Sequence, residues 1–180
     1  MNGISQIQSK KALRILIKER KSQLSKEERN RFSEEIMHKI EQCEAFRTAQ
    51  SVLCYWSLPD EVQTIAFIER HRFDKRIYLP VIVENYLKLR LFEGKEQMQT
   101  GALGIAEPVG ATYNGAIDLA IIPGVAFDDQ GHRLGRGKGF YDRFLPSTQA
   151  YKIGITFRCQ LVVNVTVDDL DIAMDEVVTE

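Results

Sequence analysis

The run from Gly131 to Leu145, GHRLGRGKGFYDRFL, places alternating glycines, several cations, a tyrosine and an aspartate in one short segment. Gly135, Gly137 and Gly139 clear side chains from a loop, so that its N–H groups can approach an anion closely. Arg133, Arg136 and Lys138 add positive charge around them. Phe140, Phe144 and Leu145 then mark a short helix whose first-turn N–H groups would face back toward the same loop. The chemistry such a segment could do is to cradle phosphate.

It is not one of the common nucleotide motifs. A P-loop needs Ser or Thr after its lysine, and here Gly139 follows Lys138. The dinucleotide fingerprint needs a different glycine spacing and an acidic residue about 20 positions downstream. On local features alone two readings stand, a phosphate cradle and a plain glycine turn with solvated basic residues.

The elements around the loop favour the cradle. Ile117 to Pro123, IDLAIIP, is an almost continuous apolar run, the pattern of a strand buried on both faces. Pro123-Gly124 ends it, and Asp129 to Gly131 makes a second turn. A buried strand opening into a polar loop and then a helix is how open α/β sheets build ligand sites at their carboxyl ends.

Upstream, Lys10 to Lys21 reads as a helix with Leu13, Leu16 and Ile17 on one side and a basic ridge of Lys10, Arg14 and Lys18 on another. Ser25 to Glu28 has the form of a capping box, and the helix after it would bury Phe32, Ile36 and Ile40. Ser51 to Trp56 reads as the first strand, Thr64 to Arg72 as a helix and Arg76 to Val81 as the second strand. Leu87 to Phe92 alternates apolar and basic residues and would pair with its predecessor through Glu84-Asn85. Lys152 to Thr156 is a further strand. Between Glu93 and Gly115 the sequence is rich in glycine and poor in regular pattern, which suits either a binding loop or a surface excursion. The expected fold class is α/β, Rossmann-like and three-layered, with a mostly parallel, partly mixed central sheet flanked by helices.

At 180 residues and 44% hydrophobic, the chain suits one domain, 1–180, with a sizeable core. A net charge of −1 argues against nucleic acid or a membrane surface as a general partner. Cys43, Cys54 and Cys159 show no metal spacing and fit free thiols in a reducing compartment. No apolar run reaches the roughly 20 residues of a membrane span, and residues 1–25 are too polar for a signal peptide. The expectation is a cytoplasmic protein, monomeric, acting on small molecules.

The stretch IIPGVAFDDQGHRLGRGKGFYDRFL resembles the signature of the 5-formyltetrahydrofolate cyclo-ligase family, also called 5,10-methenyltetrahydrofolate synthetase. The likeness extends in order along the chain, through Lys10 to Arg14, Pro59 to Val62, Gly104 to Pro108 and Asp171 to Thr179. It implies an ATP- and Mg2+-dependent ligase that closes 5-formyltetrahydrofolate to 5,10-methenyltetrahydrofolate, releasing ADP and phosphate. By resemblance, Lys10, Lys11 and Arg14 contact ATP, together with Arg133, Leu134, Gly135, Arg136, Gly137, Lys138, Gly139 and Tyr141. Arg136, Lys138 and Tyr141 would be catalytic, Trp56, Glu61, Gly137 and Tyr141 would touch the folate, and Asp142 and Asp171 would hold Mg2+, with Asp175 the adjacent alternative to Asp171. On residues alone Glu61 could equally charge the first turn of a helix, and Trp56 could equally fill the core. The chain departs from the family at Leu103, where some members carry a bulky aromatic, and at Leu170, where His often precedes the aspartate. Two other classes remain open: a binding module that has lost turnover, and an α/β enzyme taking a phosphorylated sugar without ATP.

Overall fold

A computed structural model describes residues 9–101, 103–168 and 171–180, so the departure at Leu170 lies outside the described residues. In chain order the elements are α1 (Lys10–Ser22), α2 (Lys26–Gln42), α3 (Glu44–Thr48), β1 (Ser51–Leu53), α4 (Ile65–His71), β2 (Arg76–Val83), β3 (Tyr86–Leu91), β4 (Met98–Thr100), β5 (Ala106–Pro108), β6 (Leu119–Pro123), β7 (Ala126–Phe127), β8 (Arg133–Leu134), α5 (Phe140–Phe144), β9 (Tyr151–Ile155) and β10 (Glu176–Val178).

The central sheet has the order β10-β9-β6-β1-β2-β3. Every pairing in it is parallel except β2 with β3. Glu84 and Asn85 turn that hairpin with positive φ at both positions, as a tight two-residue connection requires. The Ser25 capping box is present, with Ser25 Oγ accepting the Glu28 N–H at 3.1 Å and Glu28 Oε2 accepting the Ser25 N–H at 2.8 Å.

Alternation along the central strands explains why they read as unbroken apolar runs. Val52, Ile77, Leu79, Leu119 and Ile121 face α2, α3 and α4, where they meet Ile36, Ile40, Phe46, Phe67 and Ile68. Leu53, Tyr78, Ala120 and Ile122 face the other way, toward Leu87, Phe127, Leu145 and α5. A third cluster of Leu13, Ile17, Ala126, Leu134 and Val165 fastens α1 to the β7–β8 ribbon.

Two expectations need correction. The segment from Glu93 to Gly115 contains the antiparallel pair β4–β5, whose register sets Met98 against Pro108. The terminal acidic segment ends in β10, an edge strand parallel to β9. Strands this short carry too little periodicity to be legible locally and are held by their neighbours.

Candidate functional site

The strand order reverses between β1 and β6, and there the loops leaving their carboxyl ends diverge and open a crevice. A cavity of about 180 Å3 occupies it. Tyr55, Trp56 and Leu58 after β1, Pro80 and Ile82 of β2, and Pro123 to Val125 after β6 form an apolar lining. The glycine loop closes the cavity with Arg133, Arg136, Lys138 and Tyr141.

Most of the expected site residues come together, but each in a particular role. The glycine loop takes its path because Gly137 and Gly139 sit at φ of 96° and 67°, which L side chains rarely adopt. Leu134 contributes a buried anchor packed against Leu13 and Ile17, so only its backbone is available to a ligand. Arg14 Nε donates to the Gly135 carbonyl at 2.9 Å, which docks the helix ridge onto the loop. Lys11 is exposed and forms no ion pair among the described residues.

Arg136 reaches back across the crevice. Its guanidinium donates to Glu61 Oε1 at 2.8 and 3.1 Å and to Asp60 Oδ1 at 3.0 Å. Burial opposes the Arg136 charge, yet Glu61 and Asp60 outweigh it and raise its pKa. Asp60 is held below its ordinary value, because the hydrogen bonds and charges of Lys21 and Arg136 overcome its burial. Glu61 is not a helix cap: α4 starts later, and Glu61 closes a turn by accepting the Leu58 N–H at 3.0 Å. Lys138, by contrast, has an exposed ammonium with no ion-pair partner among the described residues. It is the cation left available at the mouth of the cavity.

Tyr141 lies under the Arg133 guanidinium, with Cζ 5.3 Å from the ring centroid. Burial pushes its phenol far above the ordinary tyrosine value, against the pull of Arg133, and the nearby Glu61 carboxylate adds to the shift. Trp56 serves both readings at once. It packs on Phe92, with ring centroids 5.6 Å apart, and lines the cavity.

The two aspartates expected to hold a cation each already carry a basic partner. Asp142 is ion-paired with Arg133, and Asp171 accepts from Lys10 at 2.9 Å. Burial works against ionisation of Asp171, but the Asp168 N–H, Lys10 and the Arg133 charge prevail and hold it below the ordinary carboxylate range. Asp175 is turned to Lys152, at 3.2 Å. Among the described residues no three His, Cys, Asp or Glu side chains converge as a metal group. Carboxylates whose basic partners border a glycine loop still suit Mg2+, which commonly takes one or two of them together with substrate phosphates.

Two buried acids escaped the sequence reading. Asp128 accepts from the backbone N–H groups of Gln130, His132 and Val165 and from His132 Nδ1, and so shapes the turn that enters the glycine loop. Its position just before a turn was the available signal. Glu107 stands in the cavity wall, and nothing local in a glycine-rich stretch marks it as buried.

The chain is similar to known proteins over nearly its whole length. The model of the 5-formyltetrahydrofolate cyclo-ligase family matches residues 6–180. The Escherichia coli K12 5-formyltetrahydrofolate cyclo-ligase is 32% identical over 176 residues, covering 91% of this chain and 96% of its own. A probable 5-formyltetrahydrofolate cyclo-ligase of Caenorhabditis elegans is 29% identical, covering 100% of this chain and 96% of its own. The solved structure of Aquifex aeolicus 5,10-methenyltetrahydrofolate synthetase superposes with a TM-score of 0.86 at 32% identity, covering 95% of this chain and 89% of that one.

Proposed function

The chain belongs to the 5-formyltetrahydrofolate cyclo-ligase family, and on that premise we propose that this enzyme uses ATP to close 5-formyltetrahydrofolate to 5,10-methenyltetrahydrofolate. One observation carries the reading: an apolar cavity and a basic glycine loop form a single site at the carboxyl ends of β1 and β6. The cavity suits a flat heterocycle, and the loop suits a polyphosphate.

The formyl oxygen attacks the γ-phosphorus of ATP, the bond to the β-phosphate oxygen breaks, and ADP leaves. N10 then attacks the activated formyl carbon, its proton leaves with the phosphate, and the carbon–oxygen bond breaks to give the N5–N10 amidinium. Both steps move negative charge and ask the protein for positioning and neutralisation more than for covalent chemistry. Lys138 would follow the migrating phosphoryl group as a mobile point charge, and Arg136 would grip phosphate in place of Glu61 and Asp60. Lys10, Arg14 and the Gly135, Gly137 and Gly139 amides would hold the rest of the nucleotide. Tyr141, protonated throughout the neutral range, would orient the formyl group as a hydrogen-bond donor rather than act as a base. Asp142 and Asp171 would hold Mg2+ arriving with the phosphates, and the cation would screen their charge.

The test is the near-ultraviolet absorbance of the methenyl product after mixing protein, 5-formyltetrahydrofolate, Mg2+ and ATP. Product that needs ATP and falls about a hundredfold or more in rate in Lys138→Ala supports the reading. ATP binding without product would point to a binding module instead.

A further inference from the structure

Arg143 belongs to α5 and is not part of the cavity wall, yet its guanidinium joins two segments that shape the site. Nη1 donates to the Lys138 carbonyl at 3.2 Å, and Nη2 donates to the Asn85 carbonyl in the β2–β3 turn at 3.1 Å. The same group lies over the Phe140 ring, with Cζ 5.4 Å from the centroid. The fork therefore ties the glycine loop to the hairpin at the edge of the central sheet.

The consequence falls on the amide at the other side of that peptide. The described peptide bonds are all trans, and a trans peptide points its N–H opposite to its carbonyl. With the Lys138 carbonyl turned to Arg143, the Gly139 N–H is turned away from Arg143, and both Lys138 and Gly139 stand in the cavity wall. That N–H has no hydrogen-bond partner among the described residues. Nothing intrinsic fixes this peptide, because Gly139, at φ 67° and without a side chain, lets it flip at little cost. A β-carbon on Gly139 would come within 2.8 Å of Arg143 Nη1, so the fork sits where a side chain would have been. We propose that Arg143 is a positioning residue, which holds the Lys138–Gly139 peptide so that the Gly139 N–H is presented to a nucleotide phosphate. The inference rests on the reading that the glycine loop binds ATP. A donor aimed in advance needs no reorientation as charge develops on the phosphoryl oxygens.

Lys138-Gly139 is the only Lys-Gly step in the sequence. Full-length protein isotope-labelled at lysine carbonyl carbons and glycine nitrogens therefore gives a single carbonyl-to-amide NMR correlation, that of the Gly139 N–H. The probe is MgATP without folate, and in wild type the amide proton should move downfield as the nucleotide saturates. Arg143→Met keeps the stem over Phe140 and loses the donors; Arg143→Lys keeps the charge, but its one nitrogen cannot hold both carbonyls as the fork does. In both variants the shift should shrink to about half or less, and kcat should fall about tenfold. KM for 5-formyltetrahydrofolate should be unchanged and, Arg143 being exposed, the melting temperature should stay within about 3 °C of wild type. A wild-type resonance indifferent to MgATP would overturn the inference, since the amide would then have no ligand. So would an Arg143→Lys protein that matches wild type in shift and rate, which would make charge alone sufficient. Variants whose melting temperature and KM values all worsen together would leave Arg143 as a structural clasp. Should the wild type make no methenyl product while its Gly139 resonance still answers to MgATP, the cyclo-ligase reading fails and the role of Arg143 is decided by the shift.

Discussion

Tyr141 presents a hydroxyl that makes no hydrogen bond to another described residue, at the junction of the apolar cavity and the cationic loop. Replacing it by Phe keeps the ring beneath Arg133 and orphans no protein partner, so stability should change by less than about 1 kcal/mol. If the hydroxyl orients the formyl group, kcat should fall about tenfold to a hundredfold. Because the phenol is raised, its proton stays on through neutral and mildly alkaline pH. The wild-type rate profile should therefore show no alkaline loss that disappears in Tyr141→Phe. Kinetics across pH beside a thermal melt read both effects, and an unchanged kcat would remove Tyr141 from the chemistry.

At the scale of elements, α1 is fixed to the end of the chain by Lys10, which bonds Asp168 at 2.6 Å and Asp171 at 2.9 Å. Asp171 is lowered from 3.8, so its share of stability is present above that value and is lost as pH falls through the lower folded value. Lys10 is raised from 10.5, despite the opposing effect of its burial, so its share holds below 10.5 and goes as pH climbs past the folded value. Asp171→Asn should then cost about 1 kcal/mol at pH 7, and the difference from wild type should shrink once pH drops well below 3.8. Paired denaturant titrations at the two pH values check it, and an equal gap at both would mean that the pair does not hold the helix. The same elements show what was legible. The capping box, the stripe of α2 and the β2–β3 hairpin rest on neighbours within a few residues, so periodicity and turn chemistry reveal them. The glycine loop was equally plain because its chemistry is written contiguously. That Arg136 is held by Glu61 and that Lys10 is held by Asp171 depends on contacts between residues 75 and 161 positions apart. The burial of Glu107 rests on its contact with β2, and no short window of sequence contains any of them.

At the scale of the whole molecule, the site has no rigid body of its own. Its walls come from the segment after β1, from β2, β3, β5 and β6, and from the glycine loop, and several of these residues also belong to the cores on the two faces of the sheet. We therefore propose that residues 1–180 fold as one cooperative unit. Trp56 reports on the cavity side, whereas far-ultraviolet circular dichroism reports on every helix and strand. The two denaturant transitions should coincide, and the midpoint should not depend on protein concentration if the chain is a monomer. Ile121 lies at the centre of β6, fully buried against the helices on the face away from α5. Ile121→Ala should lower stability by about 2–5 kcal/mol, and it should move both transitions together. A Trp56 transition that stayed in place while the circular dichroism moved would mean that the cavity folds apart from the sheet, and the reading of a single unit would be wrong.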